Sequence, residues 1–185
     1  MREIEIKLRV KNINQIEEEL ARQGCTLSSP IRQHDIVYSL KGSRNEFERS
    51  QEGDNIIRIR RQDDKTELTL KQQRSNESDN LEYESEVKNP DAVHQMLLLL
   101  NWYPMTEVKK TRRKGKLGVY EICLDRVEEL GDFVEIENLV DENADPELVR
   151  QELFAVAASF GLSPADEETR GYDTQIFQLH HGKNG

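Results

Sequence analysis

Cysteine is scarce. The chain has two, Cys25 and Cys123, far apart and in no CxxC spacing. That argues against a disulfide framework and a thiolate metal site, and both side chains are expected as buried apolar residues of a reducing compartment. No apolar run is long enough to span a bilayer, so no membrane partner is expected. The first patterned stretch begins almost at Met1, where a signal peptide would otherwise stand. The cytoplasm is the expected location. Positive charge is in deficit too, with 26 Lys+Arg against 36 Asp+Glu and a formal net charge of -10. A net-acidic chain is a poor sequence-independent binder of nucleic acid. A local cluster of cations can still override the net charge and hold a small anion.

What the chain has in quantity is pattern. Its 185 residues suit one domain with one sizeable core, expected over residues 1–179 with a loose tail at 180–185. Charged residues make up 34% and hydrophobic ones 35%. That is polar for a globular protein, but the periodicity argues against disorder.

The first stretch sets the theme. Glu3, Glu5 and Lys7 fall on one face of a strand, and Ile4, Ile6 and Leu8 on the other. Alone, this fits a half-solvated edge strand. The chain then repeats it. Arg58 and Arg60 share a face opposite Ile57 and Ile59. Lys71 follows on an alternating run with Glu67 and Thr69. Glu82, Glu84 and Glu86 share a face, as do Val108, Lys110 and Arg112, and Phe133, Glu135 and Glu137. Asp125 lies in an extended run from Tyr120 to Val127. Asp63-Asp64-Lys65, Gly115 with Gly118, and Leu130-Gly131-Asp132 read as turns. The stretches Lys41–Asn55 and Arg74–Asn80 read as polar loops.

Helices are expected after Asn12, with Gln15 completing a capping box, after Asn89-Pro90 and after Asp145-Pro146, and over Thr169–Leu179. The second has an apolar stripe of Val93, Met96, Leu97 and Leu100. Val10-Lys11-Asn12 and Val87-Lys88-Asn89 each end a Glu-x-Glu strand and open a helix, a short similarity between two halves. His34 reads as a strand residue rather than a general base. His180 and His181 are not expected to be ligands.

Roughly eight strands joined mostly by short turns, several with one apolar and one densely charged face, suit a closed antiparallel barrel. The expected class is α+β: an eight-stranded antiparallel β-barrel with a charged interior and helices packed outside. Buried charge needs a charged ligand to offset its desolvation. Lys7, Arg58, Arg60, Lys71, Lys110 and Arg112 suit phosphates. Glu3, Glu5, Glu82, Glu84, Glu86, Asp125, Glu135 and Glu137 suit hard divalent ions such as Mg2+ or Mn2+. Together the two sets suit a metal-bound triphosphate. Solvated salt bridges, each worth about 0–1 kcal/mol, are the other reading that the pattern leaves open.

Taken in order, these residues resemble the CYTH superfamily, the triphosphate tunnel metalloenzymes. Glu3-x-Glu5-x-Lys7 is similar to the family's N-terminal signature. His34-Asp35-x-x-Tyr38, Arg58-Ile59-Arg60, Leu70-Lys71, Glu82-x-Glu84-x-Glu86, Lys110-x-Arg112, Leu124-Asp125 and Gly131-Asp132-Phe133-Val134-Glu135-Ile136-Glu137 resemble its later strands. The length and the last run look most like the branch holding class IV adenylyl cyclases and thiamine triphosphatases. The resemblance implies an eight-stranded tunnel with triphosphate bound inside. It implies Glu3, Glu5, Glu135 and Glu137 near the metal ions, with Asp125 a further ligand. It implies Lys7, Arg58, Arg60, Lys71, Lys110 and Arg112 on the phosphates, and Glu5, Lys7, Arg60 and Lys71 as the residues that carry catalysis. The role of Glu82, Glu84 and Glu86 is left open.

Three activities fit. A class IV adenylate cyclase converts ATP to cyclic AMP and pyrophosphate. An inorganic or thiamine triphosphatase hydrolyses a terminal phosphate. A binding module holds polyphosphate or nucleotide without turnover. The cyclase is the first expectation. No short motif encodes a base pocket, and the oligomeric state is not readable, a homodimer being left open.

Overall fold

The computed structural model describes residues 2–40, 51–74 and 79–182. Eight strands close into a barrel: β1 (Arg2–Arg9), β2 (Ile31–Ser39), β3 (Asn55–Gln62), β4 (Lys65–Gln73), β5 (Asp79–Glu86), β6 (Tyr103–Leu117), β7 (Tyr120–Val127) and β8 (Gly131–Val140). Their order around the barrel is β1-β5-β4-β3-β2-β6-β7-β8, and the pairings are antiparallel. Among the described residues four α-helices sit on it: α1 (Ile13–Arg22), α2 (Pro90–Leu99), α3 (Pro146–Ala158) and α4 (Tyr172–His181). The expected α+β barrel is the fold observed. No described helix is long and apolar enough to cross a membrane.

The apolar faces point outward. Ile4, Ile6 and Leu8 of β1 are fully buried, and they pack with Ile13, Ile16 and Leu20 of α1 and Val149, Leu153 and Ala157 of α3. Ile122 and Leu124 of β7 and Val134 and Ile136 of β8 extend the same layer. At about 1.5–3 kcal/mol for each large aliphatic side chain removed from water, this layer holds helices to barrel. Strand periodicity then sends the charged residues inward. The two similar strand-to-helix units meet, since β1 pairs with β5 at Glu3 opposite Asn80.

Local signals held in some places and failed in others. Asn89 caps α2 by accepting from the Ala92 N–H at 3.1 Å, and Asp145 caps α3 by accepting from Glu147 at 3.0 Å. Asn12 makes no side-chain cap at α1, so the expected capping box is absent. Of the expected α2 stripe, Leu97 is buried, while Met96 and Leu100 are more than half exposed. His180 and His181, expected in a loose tail, end α4 instead: His180 Nε2 lies 2.8 Å from Glu129, and His181 Nδ1 lies 3.0 Å from the Phe177 carbonyl. Of the expected loops, residues 41–50 and 75–78 lie outside the described residues, while Asn55 opens β3, and Asp79 and Asn80 open β5.

Gly115 is not in a turn. It lies within β6, and the turn falls at Gly118, whose φ is +62°. A Cβ at position 115 would stand 2.6 Å from Cys25 Sγ and 3.0 Å from the Thr26 carbonyl. The segment after α1 therefore crosses β6 at a point where no side chain fits. Gly115→Ala is expected to destabilise the protein by about 1–3 kcal/mol, as overpacking does. Thermal unfolding measures this, and an unchanged midpoint would contradict the close approach.

Candidate active site in the barrel interior

The inward faces enclose a cavity of about 510 Å3. Lys7 of β1, Arg58 and Arg60 of β3, Lys71 of β4, and Lys110 and Arg112 of β6 line it together with Glu3, Glu5, Glu82, Glu84, Glu135 and Glu137. Asp125 is fully buried behind them. Glu86 is exposed and does not line the cavity, so the Glu82, Glu84, Glu86 run divides: Glu82 is inside, Glu84 at the rim and Glu86 outside.

Some interior charges are already paired. Arg60 holds Asp35 in a two-pronged pair at 2.8 and 2.7 Å. The pair arises from register, since Asp35 and Arg60 face each other across β2 and β3. Arg112 forks onto Asp125, with Nε at 2.7 Å from Oδ1, and also reaches Glu135. Lys110 donates to Asp125 at 2.8 Å. Burial opposes ionisation of Asp35, Asp125 and Glu135, yet the neighbouring guanidiniums and the Lys110 ammonium overcome it and hold all three below the usual carboxylate range. Lys71 lies 2.8 Å from Glu82 and 3.4 Å from Glu3. Arg58 donates to Thr69 at 3.0 Å, while its buried Nε has no partner. Lys7 makes no ion pair among the described residues, and its ammonium stands 4.8 Å over the Tyr172 ring.

Other carboxylates are crowded and only partly compensated. Among the described residues neither Glu5 nor Glu137 has an ion-pair partner. Burial, then repulsion from Glu135, pushes Glu5 up to about 7. Burial, then repulsion from Glu3, pushes Glu137 up to about 9. Oxygens of Glu3, Glu5 and Glu137 lie within 4.8 Å of one another. That spacing, an all-oxygen donor set and a repulsion that Lys7, Lys71 and Arg112 relieve only in part fit a hard divalent cation.

Sequence reasoning missed part of this interior. Asp35 carries no assigned role in the sequence pattern, although alternation places it inward. Cys123, expected in apolar surroundings, shares the inward face of β7 with Asp125, and its Sγ lies 3.8 Å from both Glu121 and Glu137. Burial pushes its thiol pKa well up. Its position two residues before Asp125 was the available signal. Tyr172 lines the cavity from a helix, where strand alternation says nothing.

The CYTH domain family model matches residues 1–172. The chain belongs to the CYTH domain family. This CYTH protein is 27% identical over 165 residues to a Methanocaldococcus jannaschii protein provisionally named an adenylate cyclase, covering 88% of this chain and 91% of that one. It is 32% identical over 88 residues to the adenylate cyclase CyaB of Aeromonas hydrophila, covering 48% of this chain and 46% of that one. The PH1012 protein of Pyrococcus horikoshii has a solved structure that superposes with a TM-score of 0.77 at 26% identity, covering 92% of this chain and 96% of that one.

The raised carboxyls give a pH signature. Glu5 and Glu137 keep a proton when folded at pH values where the unfolded chain, with carboxyls near 4.5, has lost it. The folded state gains from this near pH 5 and loses the gain as pH rises through about 7 and about 9. The contribution of Asp35, Asp125 and Glu135 has the opposite sign: it is present above the unfolded carboxyl pKa and is lost only in acid. In EDTA the thermal midpoint should therefore fall from pH 5 toward pH 9, and Glu137→Gln should flatten that fall. A wild-type midpoint that rises over the range would contradict the assignment.

Proposed function

We propose that this CYTH protein is a divalent-metal-dependent enzyme that binds a triphosphate chain inside its barrel and converts ATP to cyclic AMP and pyrophosphate. The observation that carries the reading is one cavity in which Lys7, Arg58, Arg60, Lys71, Lys110 and Arg112 face three crowded carboxylates, Glu3, Glu5 and Glu137. The relatives named adenylate cyclases support the choice of reaction.

The cations divide the work. Arg60, Lys110 and Arg112 are oriented in advance by Asp35, Asp125 and Glu135. They present fixed charge to phosphate oxygens with little reorganisation, which is where electrostatic catalysis gains most. Lys7, Arg58 and Lys71 complete the phosphate contacts. Glu3, Glu5 and Glu137 would hold Mg2+ or Mn2+. Asp125 and Glu135, metal ligands by resemblance, are assigned instead to orienting Arg112 and Lys110, because their oxygens already accept from those cations. A bound divalent ion would neutralise phosphate charge and lower the pKa of the attacking oxygen. In the cyclase reaction the ribose 3'-hydroxyl gives up its proton and attacks the alpha phosphorus. The bond to the bridging oxygen of the beta phosphate breaks, and pyrophosphate leaves. Arg60 and Lys71 would hold the chain in line for that displacement.

Hydrolysis of a terminal phosphate is the second reading, and one feature of the lining supports it. Among the described residues the cavity has only Val37, Ile56, Val108, Val119 and Leu139 as aliphatic walls, and Tyr172 is its only aromatic. That ring is already covered by the ammoniums of Lys7 and Lys110. Incubation with ATP, tripolyphosphate and thiamine triphosphate, each with Mg2+ or Mn2+, separates the readings. Cyclic AMP with pyrophosphate is expected. Inorganic phosphate alone would make it a triphosphatase, and binding without turnover would make it a binding module. Glu5→Gln is expected to lower metal-dependent turnover by about 10²-fold or more without loss of fold; unchanged turnover would remove Glu5 from the site.

A further inference from the structure

Helix α2 is apolar on two sides. Val93 and Leu97 face the barrel, where they pack with Ile36, Ile57, Ile59 and Leu68. Met96 and Leu99, and Leu100 at the helix end, are 59%, 84% and 64% exposed. A helix that is apolar all round belongs in a buried setting, yet the described residues leave this side of α2 open. The apolar surface continues past the helix. Tyr103, 43% exposed, opens β6. It pairs with Ser39 at the end of β2, which sets the half-exposed Leu40 beside it. Five large apolar side chains, each more than two-fifths exposed, thus gather at one end of α2 and the two strand ends next to it.

The charge pattern says what covers this face. Residues 92–106 include no Asp, Glu, Lys or Arg, in a chain that is 34% charged with a formal net charge of -10. Two copies of so acidic a chain repel each other over most of their surface. Here they meet without setting acid against acid. A two-fold contact places a patch against itself, so a charge near the axis would face its own kind. An uncharged patch avoids that repulsion, while a partner selected by opposite charge would find nothing here to pair with. The residue types agree, since the core of a contact is poor in charge and rich in Met and aromatic side chains. A stable contact buries about 800 Å2 from each partner. The five apolar side chains supply its centre, and the exposed Gln95 and Asn101 stand beside them as polar rim.

We propose that the outer side of α2, with Leu40 and Tyr103, is a self-association face on which two copies of this chain join as a two-fold homodimer, α2 packed against α2. The inference does not depend on the triphosphate reading. The strands under α2 send Asp35, Arg58 and Arg60 into the cavity from their other face, so the contact and the cavity lie on opposite sides of the sheet.

Sedimentation velocity of the full chain over a range of concentrations tests this. The wild type is expected to sediment at twice the chain mass at micromolar concentration and above. Leu99→Glu combined with Leu100→Glu puts like charge into the patch of both copies. It is expected to weaken the dimer about a hundredfold or more, with an unchanged far-ultraviolet circular dichroism spectrum. A wild type that is monomeric at every concentration would overturn the proposal and leave the face to a different protein. A dimer that survives in the double variant would put the contact elsewhere and overturn it too, as would open polymers in place of a dimer. If the variant does not fold, hydrogen exchange of the wild type decides. The amides of residues 96–103 should exchange more slowly as concentration rises, and rates independent of concentration would overturn the assignment.

Discussion

The structure depends on burying charge of both signs inside a closed sheet. A buried ion pair seldom repays its desolvation by attraction alone. It persists here because the barrel leaves no alternative. Ile4, Ile6 and Leu8 must face α1 and α3, and a period of two then commits Glu3, Glu5 and Lys7 to the interior. The apolar layer outside and the charged cavity inside are thus two consequences of one alternation. A slip of one residue in β1 would place charge against the helices and isoleucine in the cavity, so the register is held from both sides.

Within the cavity, the charges fall into two classes with different chemistry. Arg60 with Asp35, and Arg112 with Asp125 and Glu135, are paired, oriented and fully ionised. Glu5 and Glu137 are crowded and resist ionisation. The first class is what a polyanion needs to meet without rearrangement. The second is what a divalent cation relieves. A ligand carrying both a phosphate chain and its metal ion answers the two at once, and this links the CYTH fold to phosphoryl chemistry through physical terms as well as through kinship.

Much of this was legible in the sequence, for a definite reason. Alternation is written residue by residue, so β1, β3, β5, β6 and β8 and their inward side chains followed from spacing. Closure into a barrel followed from the number of strands and their short turns. What was not legible depended on contacts between distant segments. The Arg60 pair with Asp35 is set by the register of β2 on β3. The need for glycine at 115 is set by Cys25, ninety positions earlier in the chain. Tyr172 enters the cavity from a helix whose own pattern says only that one face is apolar. Asp125 carried the right charge on the right face, but its position behind Arg112 and Lys110, which decides what it can bind, is a matter of depth and not of spacing.

The central claim is that one cavity holds a phosphate chain along its cations and a divalent ion on Glu3, Glu5 and Glu137. The most direct measurement is a crystal structure of the wild-type protein with tripolyphosphate and Mn2+, with the ion located by its anomalous scattering. The account requires an anomalous peak in contact with those three carboxylates and a phosphate chain running past Arg58, Arg60, Lys71, Lys110 and Arg112. Tripolyphosphate bound outside the barrel, or manganese bound away from the three carboxylates while the interior stays as described, would contradict it.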